Sequence, residues 1–93
     1  VYMDNFNFYK AVEKLKKKYS KEFITDLENF QLNEKDIEKN LKKIKINWIR
    51  SSGFRIANPF YIGKINIEGL VYEISMEKGN KKIRFKRLKK IIH

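Results

Sequence analysis

All four arginines of this 93-residue chain lie in its second half, as Arg50, Arg55, Arg84 and Arg87. An arginine side chain presents a planar fork of N–H donors that matches a phosphate group and also stacks on nucleobases, whereas lysine acts as a point charge. Residues 44–93 carry a net charge of +9, and residues 1–43 carry only +2. A lysine coat that served only solubility would be spread over both parts. The distribution therefore predicts that the second part binds a polyanion.

The segment at 81–90 is strongly basic, and its pattern is typical of a strand. Apolar residues alternate with basic ones, so Lys82, Arg84 and Lys86 are expected on one face. A flat basic face holds nucleic-acid backbones, although an edge strand that its lysines protect from aggregation is an alternative explanation. The residues predicted to contact nucleic acid are Arg50, Lys81, Lys82, Lys86, Arg87, Lys89 and Lys90.

Several classes of chemistry lack the residues they need. One histidine, no cysteine and scattered carboxylates provide no metal-ligand spacing, and no glycine-rich phosphate loop occurs, so neither a metal nor a cofactor is expected. No apolar run approaches the roughly 18 residues of a membrane span. The first residues, Val1 to Asp4, lack the pattern of a signal peptide. Because the absence of cysteine also fits a reducing compartment, we expect a cytoplasmic protein.

Apolar residues at helical spacing predict two or three amphipathic helices in the first part of the chain. One stripe runs from Phe8 to Tyr19 and fits a helix over about residues 6–19. Ser20 is the expected N-cap of a second helix, and Asn33 that of a third. The apolar faces of the last two are Phe23, Ile24, Leu27 and Phe30, and then Ile37, Leu41 and Ile44.

From Ile44 onwards the apolar period changes from 3.6 to 2, which indicates strands. Two turn signals, Glu68-Gly69 and Gly79-Asn80, join three extended segments into successive hairpins. The predicted fold is therefore α+β, with two or three N-terminal amphipathic helices packed on a C-terminal antiparallel meander of four to five strands. At this length we expect one domain over residues 1–93, with a helical part at 1–43 and a basic β-meander at 44–93.

Three segments, Ile44–Ile46, Arg50–Ile56 and Leu70–Ser75, carry a resemblance to a known family. Together with the order of elements, they resemble the RelE/ParE family of small bacterial toxins and the wider barnase- and colicin-type RNase group. The resemblance implies that Arg55 acts on the scissile phosphate, with Arg50 beside it. It also implies metal-free cleavage of mRNA, often on the ribosome, by the RNA's own 2′-hydroxyl. An acidic antitoxin or immunity-type protein is the implied partner.

Cleavage through a 2′-hydroxyl requires a base, an acid for the leaving oxygen and a cation for the charged phosphate. Arg55 and Arg84 are candidates for the cation. Tyr72, Tyr61 or a lysine of lowered pKa are candidates for the base or acid. The candidate catalytic residues are thus Arg55, Arg84 and Tyr72, and whether the chain is an enzyme stays open.

Two other functions remain open at this stage. The apolar spacing between Leu27 and Ile44 also fits a helix-turn-helix or winged-helix module that binds DNA or RNA without cleaving it. Glu34 and Asp36 oppose that docking, because they would point between two phosphate chains. The basic face would also suit a protein-interaction or inhibitor domain that docks on an acidic partner. We expect RNA ahead of DNA as the ligand.

Overall fold

A mixed five-stranded sheet with helices packed on one face forms the fold, and the computed structural model describes residues 8–47 and 60–91 of the chain. Within these residues the helices are α1 (Phe8–Val12), α2 (Lys21–Asn29) and α3 (Glu34–Asn40), followed by a 3₁₀ turn at Leu41–Lys43. The strands are β1 (Lys16–Tyr19), β2 (Lys45–Ile46), β3 (Phe60–Ile67), β4 (Leu70–Lys78) and β5 (Lys82–Lys90). The predicted α+β class is confirmed.

The second and third helices begin at the predicted caps. The Ser20 hydroxyl accepts a hydrogen bond from the backbone N–H of Phe23 at 3.0 Å. Asn33 and Asp36 form a reciprocal capping box, in which each side chain accepts from the backbone N–H of the other. These bonds satisfy N–H groups that have no partner inside the helix, which is why a short polar residue is needed at each start.

The predicted helix over residues 6–19 is wrong beyond its first turns. Helix α1 ends at Val12, and Lys16–Tyr19 forms the strand β1. The main chain of this strand pairs with β5, since the N–H of Lys16 donates to the carbonyl of Lys81 and the N–H of Ser20 to that of Phe85. Long-range pairing with an available strand thus outweighs the helical spacing of the side chains.

The strand order is β1-β5-β4-β3-β2, so the predicted pure antiparallel meander is also wrong. Strands β3, β4 and β5 do form the two predicted hairpins, and β2 adds antiparallel to β3. Strand β1 instead lies parallel to β5. At the β3–β4 turn, Glu68 and Gly69 both have positive φ, 51° and 85°, as a two-residue turn of matching twist requires.

The core lies between one face of the sheet and the helices. Its side chains are fully or almost fully buried, and they include Val12, Phe23, Leu27, Ile37, Leu41, Ile65, Ile74, Met76, Ile83, Phe85 and Leu88. We call the opposite side of the sheet the outer face. Within residues 8–47 and 60–91, no helix has the length and apolar character to cross a membrane.

A β-bulge in β5 determines which of its residues reach the core. Met76 of β4 pairs with Phe85, but the preceding Ser75 pairs with Arg87, so Lys86 is an additional residue in the ladder. Without it, strict alternation would place Leu88 on the outer face. With it, Phe85 and Leu88 are both buried, and Arg87 remains exposed.

Gly63 on β3 is required by a close crossing of the chain. A Cβ at this position would lie 2.9 Å from Cγ2 of Ile44 and 2.9 Å from the backbone carbonyl oxygen of Lys45. We expect Gly63→Ala to lower the free energy of unfolding by about 1–3 kcal/mol, measured by urea denaturation, because backbone must move. Lys64→Ala, at the next position of the same strand, is the control and should change little, since this side chain is exposed. Equal losses for the two variants would contradict this explanation.

Tyr19, the last residue of β1, contacts side chains on β5 and α3. Its ring stacks on Phe85 at a centroid distance of 5.2 Å, and its hydroxyl donates to Oε1 of Glu38 at 3.2 Å. Burial, and next the negative charge of Glu38, raise the pKa of Tyr19 above its usual 10.0. The neutral phenol is therefore the form that the fold stabilises.

This pKa predicts a loss of stability at alkaline pH. Above about pH 10 the unfolded chain releases the Tyr19 proton while the folded chain retains it, so stability falls as the pH rises further. We expect Tyr19→Phe to unfold at a urea midpoint that declines less between pH 9 and pH 11 than that of the parent chain. Lysine titration affects both proteins alike, so parallel declines would show that Tyr19 contributes nothing to the effect.

Candidate nucleic-acid interface

Strands β1 and β5 place four basic side chains side by side on the outer face. Lys16 is in register with Lys82, and Lys18 with Arg84. All four are exposed. Their neighbours Lys17 and Ile83 point the other way, and the Lys17 ammonium donates to the backbone carbonyls of Glu13 and Leu15. We call the four residues Lys16, Lys18, Lys82 and Arg84 the basic face.

The basic face consists of two adjacent like-charge pairs. Like charges directly opposite each other destabilise a sheet, on the scale of roughly 0.2–1 kcal/mol at which cross-strand pairs act. Protection of an exposed edge would explain lysines on β1, which is the edge strand of the sheet among the described residues. It does not explain Lys82 and Arg84, because β1 covers β5 at these positions. An anion lying across both strands would offset the repulsion.

Strand β4 contributes carboxylates next to the basic face. Glu77 is in register with Arg84, and Glu73 with Lys89 on one side and Lys64 on the other. Opposite charges at these positions attract one another across the strands. The middle of the outer face is thus closer to neutral. Positive charge remains on its two sides, as the basic face on β1 and β5 and as Lys45 in register with Lys64 on β2 and β3.

Arg87 is held by a carboxylate rather than projecting freely. Its Nε donates to Oδ2 of Asp26 at 2.9 Å, and its NH2 donates to Oδ1 at 3.2 Å. The backbone N–H of Leu88 also donates to Oδ2 of Asp26, at 2.9 Å. The hydrogen bonds to Asp26, together with its charge, raise the pKa of Arg87. This contact occurs where β1 has ended, so Asp26 of α2 lies at an edge of β5 that no strand of residues 8–47 and 60–91 covers.

The predicted catalytic residues do not meet within the described part of the chain. Arg55, and Arg50 beside it, lie outside the described residues. Tyr72 is buried in the core, where its ring makes an edge contact with Phe30 at 5.3 Å. Arg84 lies on the outer face, so the sheet separates it from Tyr72. Tyr61 is also buried, and burial raises its pKa.

The predicted phosphate-contacting lysines divide between several positions. Lys82 and Lys89 lie on the outer face, and Lys86 is the half-buried bulge residue. Lys81 is exposed in the turn before β5. Lys90 is exposed but in register with the core-facing Tyr72, so it lies towards the helical side of the sheet. Their contacts with nucleic acid stay a prediction.

Three residues at or near this interface could not be identified from the sequence. Lys16 and Lys18 fall within the predicted helix, and nothing local in the sequence shows that they lie beside β5. Asp26 left a clearer signal, since it falls within the apolar face of α2, three residues after Phe23 and four before Phe30. A carboxylate at such a position needs a partner when it is buried.

The helical layer carries the opposite charge. Residues 21–40, which span α2 and α3, contain three lysines and six carboxylates, a net charge of −3 in a chain of net +11.

Among residues 8–47 and 60–91, no three acidic, histidine or cysteine side chains are grouped as metal ligands would be. Neither a protein-family model, nor a curated protein, nor a solved structure matches this chain.

Proposed function

We propose that this domain binds nucleic acid through the basic face, with RNA ahead of DNA. The observation that carries the proposal is the register of two like-charge pairs, Lys16 with Lys82 and Lys18 with Arg84, on the outer face. Their repulsion is a cost to the free protein, and a phosphate backbone lying along β1 and β5 would relieve it. Successive side chains on one face of a strand are separated by roughly 6.6 Å, so each can meet a different phosphate.

The charge separation across the molecule supports the same orientation. Helices α2 and α3 carry the carboxylates, and they pack on the other side of the sheet. A polyanion is attracted to the basic face and repelled from the helical layer, which orients the encounter before contact. This arrangement also disfavours the helix-turn-helix alternative, in which the first turn of α3, with Glu34 and Asp36, would enter a groove of the duplex.

We expect the protein to bind RNA ahead of DNA because its basic face is flat. A flat sheet face does not enter a duplex groove as a helix does, and sequence-bearing RNA is mostly recognised in its unpaired segments. A positively charged surface that follows the backbone is a recurrent way of binding such strands.

Anisotropy titrations with a short labelled single-stranded RNA, a DNA of the same sequence and the corresponding duplex test this function. We expect saturable binding that is strongest for the single-stranded RNA. If none of the three binds, or if an acidic protein such as poly-glutamate competes on equal terms at equal charge, the basic face serves a protein partner instead.

Endoribonuclease activity is a second candidate, carried by the exposed guanidinium of Arg84 on the outer face and by the RelE-like implication for Arg55. Incubating labelled RNA with the protein, with and without ribosomes, tests it directly. Cleavage that Arg55→Ala abolishes while RNA affinity stays constant would support an enzyme. Intact RNA under both conditions would leave binding as the function.

A further inference from the structure

A groove of about 400 Å³ opens at the edge of β5, beyond the end of β1. Its walls come from α2 and its C-cap residue, from the middle of β4 and from the last part of β5. The lining residues used below are Asp26, Phe30, Glu73, Ser75, Arg87 and Lys89. It lies next to the basic face, because Arg87 and Lys89 follow Arg84 along β5 by three and five residues. At about 3.3 Å per residue, the groove begins roughly 10 Å from Arg84.

The groove has a different chemistry from the basic face. Its two cations, Arg87 and Lys89, are balanced by two carboxylates, Asp26 and Glu73. A phosphate would gain little net attraction there. The ring of Phe30, the hydroxyl of Ser75 and the mixture of donors and acceptors instead match a flat, neutral, polar-edged ring. The volume lies within the range of small-molecule sites and accommodates a nucleobase.

The walls of the groove are held in place before any ligand arrives. The Asp26 carboxylate fixes the guanidinium of Arg87 through two hydrogen bonds, and a third bond ties the same carboxylate to the backbone of Leu88. The Phe30 ring is positioned by its edge contact with Tyr72. A guanidinium and a ring that are already ordered lose little further freedom when a base enters.

We propose that this groove receives one unstacked base from a single strand whose phosphates lie on the basic face. The inference rests on the proposed function and adds to it the class of ligand: a strand with a base free to leave its stack. A base inside an intact duplex is unavailable without unpairing, which costs a few kcal/mol. The basic face would then supply most of the salt-dependent affinity, and the groove the preference for unpaired strands.

Two variants of the groove test this proposal. Phe30→Leu removes the aromatic ring, and Ser75→Leu fills the groove from β4 without entering the core. Base–aromatic stacking contributes on the order of 1–3 kcal/mol per base, so each variant should weaken binding of a short oligouridine roughly tenfold. The dependence of affinity on salt should not change, because no phosphate contact is lost. Asn29→Leu, an exposed position on α2 outside the groove, is the matched control and should bind as the parent chain does.

A strand without bases provides the decisive comparison. An abasic oligonucleotide with the same number of phosphates should bind the parent chain roughly tenfold more weakly than oligouridine does. It should bind the parent chain and the two groove variants equally. If the parent chain binds the abasic strand or a duplex as tightly as oligouridine, the groove takes no base, and the proposed function stands without it. If the parent chain binds none of these ligands, the proposed function itself fails.

Discussion

We expect that raising the salt concentration from about 50 to about 200 mM lowers the affinity of this protein for single-stranded RNA on the order of a hundredfold or more. This result is expected because binding through lysine and arginine releases counterions from the nucleic acid, and the loss grows with the number of phosphates neutralised. Five contacts on a single strand are enough for an effect of this size. The four residues of the basic face, with the exposed Lys81 immediately before Lys82, can supply them.

Anisotropy titrations at several salt concentrations measure the slope of log affinity against log salt. Repeating one titration in a different monovalent salt at the same ionic strength is the control for a specific anion effect. An affinity that hardly responds to salt would contradict a phosphate-binding surface, and the charge on the sheet would then need another explanation.

The second large effect concerns the middle of the basic face. Lys18→Glu combined with Arg84→Glu converts one like-charge pair on adjacent strands into a pair of carboxylates facing the same phosphates. We expect the affinity for single-stranded RNA to fall at least a hundredfold at about 50 mM salt. The salt slope should decrease by about 1.4, since each phosphate contact on a single strand contributes roughly 0.7. The matched control is Lys35→Glu with Lys39→Glu, which makes the same change of charge on α3.

Comparing the two double variants separates location from total charge. If both lose affinity equally, only the net charge of +11 matters, and the lysines act as a nonspecific coat. Circular dichroism and urea denaturation should accompany the titrations, because both substitutions on the basic face are at exposed positions and are expected to leave the fold intact.

The elements that the sequence predicts correctly depend on local chemistry. Ser20 and Asn33 act as caps through bonds to residues only three positions away, and the β3–β4 turn depends on Gly69. Strand β1 could not be recognised in this way. Its partner in β5 is 66 residues away, and Lys16–Tyr19 reads equally well as the end of an amphipathic helix.

The candidate site was predictable to the same degree. The concentration of positive charge in β5 follows from the sequence, and Lys82 and Arg84 lie on one face as alternation predicts. The sequence gives no sign of the bulge at Lys86, because the basic run continues through it. The bulge nevertheless changes the neighbours of Arg87. The hydrogen bonds between Asp26 and Arg87 are therefore apparent only from the fold, and so is the groove beside them.

The parallel pairing of β1 with β5 makes the basic face a property of the whole chain. Each of its like-charge pairs joins residues separated by 66 positions, so no fragment that lacks either strand can present it. Contacts at such separation form late, because a long loop must close before they contribute any stability. A ligand that spans both strands would stabilise this closure by mass action. Bound nucleic acid would in that case stabilise the last part of the sheet to assemble. Nucleic-acid binding and the pairing of β1 with β5 would then be thermodynamically linked.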